Sequence, residues 1–145
     1  MSKNTIWIGN DHAGVELKNA LVKLLKESHW EVVNVGTDSI ESVDYPDFAH
    51  PVAEAIEAEK GKWGILICGS ANGVCMSANK HQRVRAALCW NAEIASLARS
   101  HNDANVLCIP ARYVSIHEGE EILKEFLGKD FEGGRHQKRV DKISI

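Results

Sequence analysis

A three-layer αβα sandwich, doubly wound around a Rossmann-like, mainly parallel five-stranded sheet, is the fold that three features of the sequence predict. Five short apolar runs are bounded by Gly, Asn or Asp, as buried strands are. Amphipathic helical stripes separate them. Strands that alternate with helices require right-handed crossovers, and those crossovers place helices on both faces of a parallel sheet.

Taken in order, the first run is TIWIG (5–9). Residues 15–28 follow, with Leu17, Ala20, Leu21, Leu24 and Leu25 on one helical face. EVVNV (31–35) is the second strand, followed by a helical stripe over about 49–59. WGILIC (63–68) leads into a helix at about 73–80, and VRAALC (84–89) into one at 91–100. NVLCIP (105–110) is the fifth strand, with a last stripe at 117–127. No repeat or internal linker divides the 145 residues, so residues 1–145 read as one domain ending in a basic tail at about 132–145.

Hydrophobic residues at 44% and charged residues at 26% are ordinary for a soluble chain that buries a core. No apolar run approaches the roughly 18 residues of a membrane span. MSKN passes directly into TIWIG without a leader pattern, so a cytoplasmic location and no membrane partner are expected. The net charge of −3 argues against a general nucleic-acid surface. The tail alone is cationic, through Arg135, Lys138, Arg139 and Lys142, and so few cations suit a small anion best. Cys68, Cys75, Cys89 and Cys108 have neither CxxC nor zinc spacing and read as free thiols, with Cys75, Cys89 and Cys108 as packing.

In such a sheet ligands bind where strands end and helices begin, because helix N-termini present unpaired N–H groups. Asp11-His12 follows the first strand; the pair can orient a hydroxyl or shuttle a proton, or Asp11 can simply cap a helix. Cys68-Gly69-Ser70-Ala71-Asn72-Gly73 follows the third. Its small residues allow a tight turn with several N–H groups aimed at one anion, and it matches neither a Walker A loop nor GxGxxG. Cys68 then stands near a helix N-terminus, a setting expected to lower its pKa toward neutrality and make it a base. The alternative is a plain buried strand end. His101-Asn102-Asp103 closes the fourth helix at the opposite sheet edge, as a simple helix stop or as a catalytic group reaching into another subunit. The second reading makes the protein an obligate dimer with shared sites. Arg112 and the cluster Arg135, His136, Lys138 and Arg139 are phosphate ligands or a solvated charge run.

In series, GNDHAG (9–14), DYPDFA (44–49), ILICGSANGVCMSANK (65–80), VRAALC (84–89), HNDANVL (101–107) and GRHQKRV (134–140) resemble the family of ribose-5-phosphate isomerase B and the galactose-6-phosphate isomerase subunits, over nearly the whole chain. The resemblance implies an aldose–ketose isomerase working through a cis-enediolate. In it Cys68 carries the proton from C2 to C1. Ser70 and the N–H groups of Gly69, Ser70, Ala71, Asn72 and Gly73 hold the enediolate oxygens. His101 opens the sugar ring with Asp11 nearby, and Asn102 touches substrate from the partner subunit. Arg112, Arg135, His136 and Arg139 bind phosphate, and Asp11, His12 and Tyr45 line the sugar. It further implies no metal or organic cofactor, and a homodimer or dimer of dimers. Ala71 replaces a usual glycine, at a cost of about 1–2 kcal/mol if φ is positive there. Val74 and Cys75 stand where one branch of the family carries a carboxylate base, which favours the thiol. Asn10, Trp90 and Asn91 are also unusual. The alternatives are an allose- or galactose-phosphate isomerase with the same site residues, a non-catalytic sugar-phosphate-binding protein, and a thiol redox protein using Cys68 and Cys75.

Overall fold

The computed structural model describes residues 2–145; Met1, part of the reading of the N-terminus, lies outside the described residues. Strands β1 (Thr5–Asn10), β2 (Glu31–Asn34), β3 (Trp63–Cys68), β4 (Ala86–Leu88) and β5 (Val106–Pro110) form one sheet in the order β2-β1-β3-β5-β4, with every neighbouring pair parallel. The α-helices are α1 (Val15–Glu27), α2 (Pro46–Glu57), α3 (Asn72–Ala78), α4 (Ala92–Ser100), α5 (Ile116–Gly128) and α6 (Arg135–Asp141), with short 3-10 turns at Ser2–Asn4 and His12–Gly14. The predicted α/β sandwich is therefore the fold.

Side chains alternate across a strand, so each strand feeds two cores. Ile6, Ile8, Ile65, Ile67, Leu107 and Ile109 face α1, α4 and α5, where Leu17, Leu21, Leu25, Ile122 and Phe126 meet them. Leu66, Cys68, Val106 and Cys108 face α2 and α3 and pack with Val52, Ile56, Val74 and Ala78. Cys89 and Cys108 are fully buried in these layers, as packing requires.

Several ends differ from the sequence reading. Strand β4 shrinks to three residues at the sheet edge, and α3 is only seven residues long. The tail is not a simple basic extension: its residues 135–141 form α6, entered through Gly133 (φ +68°) and Gly134 (φ +54°), a reversal that L side chains resist. Asn91 caps α4 by accepting from the Ile94 N–H. Ser115 and Glu118 form a capping box on α5.

Two buried cations fix loops around this frame. Lys18, 1% exposed, donates to Thr37 O (2.9 Å), Asp38 Oδ1 (2.6 Å) and Asn34 Oδ1 (3.4 Å). Asn10 donates to Asp11 O and Thr37 O, tying the loop after β2 to the end of β1. Arg99 lies 4.2 Å above the Trp63 ring and donates to Asp103 Oδ1 and Ala104 O. Asp103, with φ +48°, also receives Arg85 and ends α4, so the Asn-Asp stop is real. No helix among the described residues is long and apolar enough to cross a membrane.

Candidate functional site

The order of strands makes β1 and β3 neighbours whose following segments diverge, the switch point where an open α/β sheet presents its crevice. Asp11 N–H donates to Ile67 O, so the two strand ends lie side by side. Cys68 ends β3 and is 5% exposed. The turn after it runs through Ala71, whose φ of +64° and ψ of −1° put an alanine in the left-handed region, as expected if it takes the place of a glycine. Backbone N–H groups of Val74, Ala71 and Ser70 face the Cys68 sulfur.

The thiol does not behave as the sequence suggested. Burial pushes its pKa up, aided by the nearby Asp11 charge; the three N–H groups pull the other way without prevailing. A seven-residue helix and a nearly closed environment explain the reversal, because desolvation of a thiolate outweighs a short helix dipole.

Around Cys68 the structure gathers most of the predicted residues. Asp11 accepts from Ala13 N–H at 3.0 Å, so it is a cap as well as a neighbour of the thiol. His12 Nδ1 accepts from Val43 N–H at 3.2 Å, which leaves the neutral ring's proton on Nε2. The Tyr45 ring lies against Gly73, leaving no room for a side chain there. Ser70 Oγ accepts from Asn72 N–H. Arg112 N–H donates to Gly69 O, and its guanidinium covers Gly69, where a Cβ would stand 3.1 Å from Nη1.

The remaining residues are elsewhere. Asn105 O accepts from Gly64 N–H, so the segment following His101 enters the sheet at the beginning of β3. Four residue steps, roughly 13 Å of strand, separate Gly64 from Cys68. His101 caps the C-terminus of α4 at that far edge and stacks on His136 of α6. Arg135 and Arg139 share α6 with His136, and Asn102 adjoins His101. A cleft of about 640 Å³ beside Lys80, Arg85 and residues 143–145 contains Asn102 but not Cys68. One chain thus carries two separate clusters: Cys68, its turn and Arg112 at one edge, and His101 and His136 with Arg135 and Arg139 at the other.

The sequence reading missed Glu132. Its Oε1 stands 3.6 Å from His136 Nε2 and 3.8 Å from His101 Nε2. The only signal was the four-residue spacing Glu132–His136, masked by the intervening Gly133-Gly134. His136 is held below the usual histidine range by burial, then by His101 and Arg135.

A thiol faced by the N–H groups of the turn that follows it suits chemistry in which a proton leaves carbon next to a developing oxyanion. Comparison with known proteins gives the family: the model described as Ribose/Galactose Isomerase matches residues 6–143. This chain belongs to that family and is an isomerase. It is 46% identical over 139 residues to a protein named probable ribose-5-phosphate isomerase B of Mycoplasma pneumoniae, covering 95% of this chain and 91% of that one. To ribose-5-phosphate isomerase B of Escherichia coli it is 42% identical, covering 96% and 93%. Among solved structures, a ribose 5-phosphate isomerase of Thermotoga maritima superposes with a TM-score of 0.95 at 42% identity, over 98% of both chains. Ribose-5-phosphate isomerase B of Mycoplasma genitalium, solved with bound ribulose-5-phosphate, gives 0.94 at 44% identity, over 99% of this chain and 95% of that one.

Proposed function

We propose that this protein interconverts ribose 5-phosphate and ribulose 5-phosphate through a cis-enediolate, in the cytoplasm and without a cofactor, with Cys68 as the base. The observation that carries the reading is the Cys68 sulfur at the end of β3, faced by N–H groups of the very turn that opens α3. The bound ribulose-5-phosphate of the Mycoplasma genitalium relative supports the substrate class.

In this reading the thiolate takes the proton from C2 of the open-chain aldose and returns it to C1. Negative charge that develops on the carbonyl oxygen is met by the turn's N–H groups and Ser70. Such a donor contributes about 3–4 kcal/mol when it is aimed at the transition state rather than the ground state. Asp11, His12 and Tyr45 surround the sugar. His101 opens the furanose ring, Asn102 contacts substrate, and Arg135, His136, Arg139 and Arg112 bind the phosphate. Because the two clusters stand at opposite sheet edges, a complete site needs the far edge of a second copy, as a homodimer or a dimer of dimers supplies. The raised pKa makes the thiolate a minority species at neutral pH, so turnover climbs with pH.

The test is turnover of ribose 5-phosphate by the purified chain, beside allose and galactose 6-phosphates, with Cys68→Ala as the comparison. Activity on the pentose that vanishes in the variant, with sugar-phosphate binding kept, is the expected result. Undiminished turnover in the Cys68 variant removes the thiol from the mechanism.

A further inference from the structure

We propose that His101, Glu132 and His136 form a binding site for a divalent transition ion of the zinc type, and that the ion inhibits turnover when bound. The three ligand atoms lie within 4.8 Å of one another. The carboxylate faces both rings at 3.6 and 3.8 Å, beyond hydrogen-bond length, so it bonds to neither. A tetrahedral zinc ion with bonds of about 2.0–2.1 Å separates its ligands by about 3.4 Å, only a few tenths of an ångström from the two carboxylate–imidazole distances.

Two imidazoles and one carboxylate are the donor set of open zinc sites, in which water takes the fourth position. Their nature selects against Mg2+ and Ca2+, which prefer all-oxygen shells. The rings are only 14° from parallel, so one has to swing for both lone pairs to converge. His101 is the freer of the two, 36% exposed at the end of α4, whereas His136 is 10% exposed. Arg135 and Arg139 oppose a cation here, which limits affinity and restricts the site to ions that bond strongly to imidazole.

Inhibition rests on the function proposed above, since an ion on Nε2 of His101 and His136 removes both rings from sugar and phosphate. Binding does not rest on it. Equilibrium dialysis of the full chain against Zn2+, with Mg2+ as the control, measures the site directly. One Zn2+ per chain and no Mg2+ is expected. Glu132→Gln, an exposed and nearly isosteric change, weakens Zn2+ about tenfold or more, since losing even a group behind a ligand commonly costs that much. The same variant retains metal-free turnover and loses inhibition by Zn2+, and a chelator restores the native enzyme. Zn2+ binding unaffected by Glu132→Gln overturns the site, and a Co2+ spectrum with a thiolate charge-transfer band overturns it in favour of the cysteines. Binding sensitive to Glu132→Gln but without inhibition upholds the site and refutes the inhibitory role.

Discussion

The imidazole of His101 stacks on that of His136 with ring centroids 4.1 Å apart, on the edge of the sheet opposite to Cys68. The two rings come from different parts of the chain, yet the Glu132 N–H bond to Ser100 O brings the start of the tail to the end of α4. Under the function proposed above, these groups on opposite edges of one sheet serve one substrate only if two copies meet.

Mixed chains test that arrangement. Cys68→Ala and His101→Asn each cripple ribose 5-phosphate turnover when assembled alone. Coexpressed, they recover about a quarter of native turnover, because half of randomly formed dimers are mixed and each of those has one intact site. Steady-state rates of the coexpressed chains check this. A mixture as inactive as its parents means that each site draws both groups from the same chain.

Buried thiols give the protein an alkaline weakness. Burial raises the pKa of Cys68, Cys108 and Cys89, the last from an ordinary 9.0 to about 12. The unfolded chain therefore loses these protons first, so their stabilisation is complete below pH 9.0 and declines from there toward the folded values. Cys75, held low by its hydrogen bond with Cys108, has the opposite sign, and its contribution is already complete above 9.0. Urea midpoints measured upward from pH 9.0 fall with pH. Cys89→Ala flattens the slope by up to about 1.4 kcal/mol per pH unit. Parallel slopes in the two proteins exclude Cys89 as a source of the effect.

Ala71 sits in the left-handed region and is fully buried. Ala71→Gly relieves about 1–2 kcal/mol of backbone strain. It gives up about 0.8 kcal/mol of methyl burial and some further chain entropy, so stability stays within about 1 kcal/mol of the native value. Ala71→Val, β-branched at a positive φ, loses about 2 kcal/mol or more. Denaturant titration of the pair checks the contrast, and equal stabilities mean that the turn abandons its left-handed residue.

The strands and the two core faces were legible because Ile6, Ile8, Ile65 and Ile67 sit in uninterrupted apolar runs with the right period. The residues at the strand ends were legible because topology alone assigns them an edge; that reasoning put His101 far from Cys68. Helix α6 was not legible, since RHQKRV offers Val140 as its sole aliphatic anchor and turns inward on a histidine. The direction of the Cys68 pKa was misread for a related reason. A sequence shows that a helix follows the thiol, but not that it is seven residues long or that the thiol is nearly closed off from water. Asn10 and Asn91 turned out to be a loop tie and a helix cap, local duties that their neighbours in sequence do not announce. Nothing in the structure explains Trp90.

Arg99 stands two residues before His101, held between the Trp63 ring and the Asp103 and Ala104 oxygens. The direction in which His101 leaves its helix is thus inherited from an aromatic surface in the interior. Substitutions at Trp63 or Asp103 alter the reach of a histidine they never touch. Under the function proposed above, a chain altered at either position can remain well folded while its His101 no longer meets the Cys68 edge of a second copy.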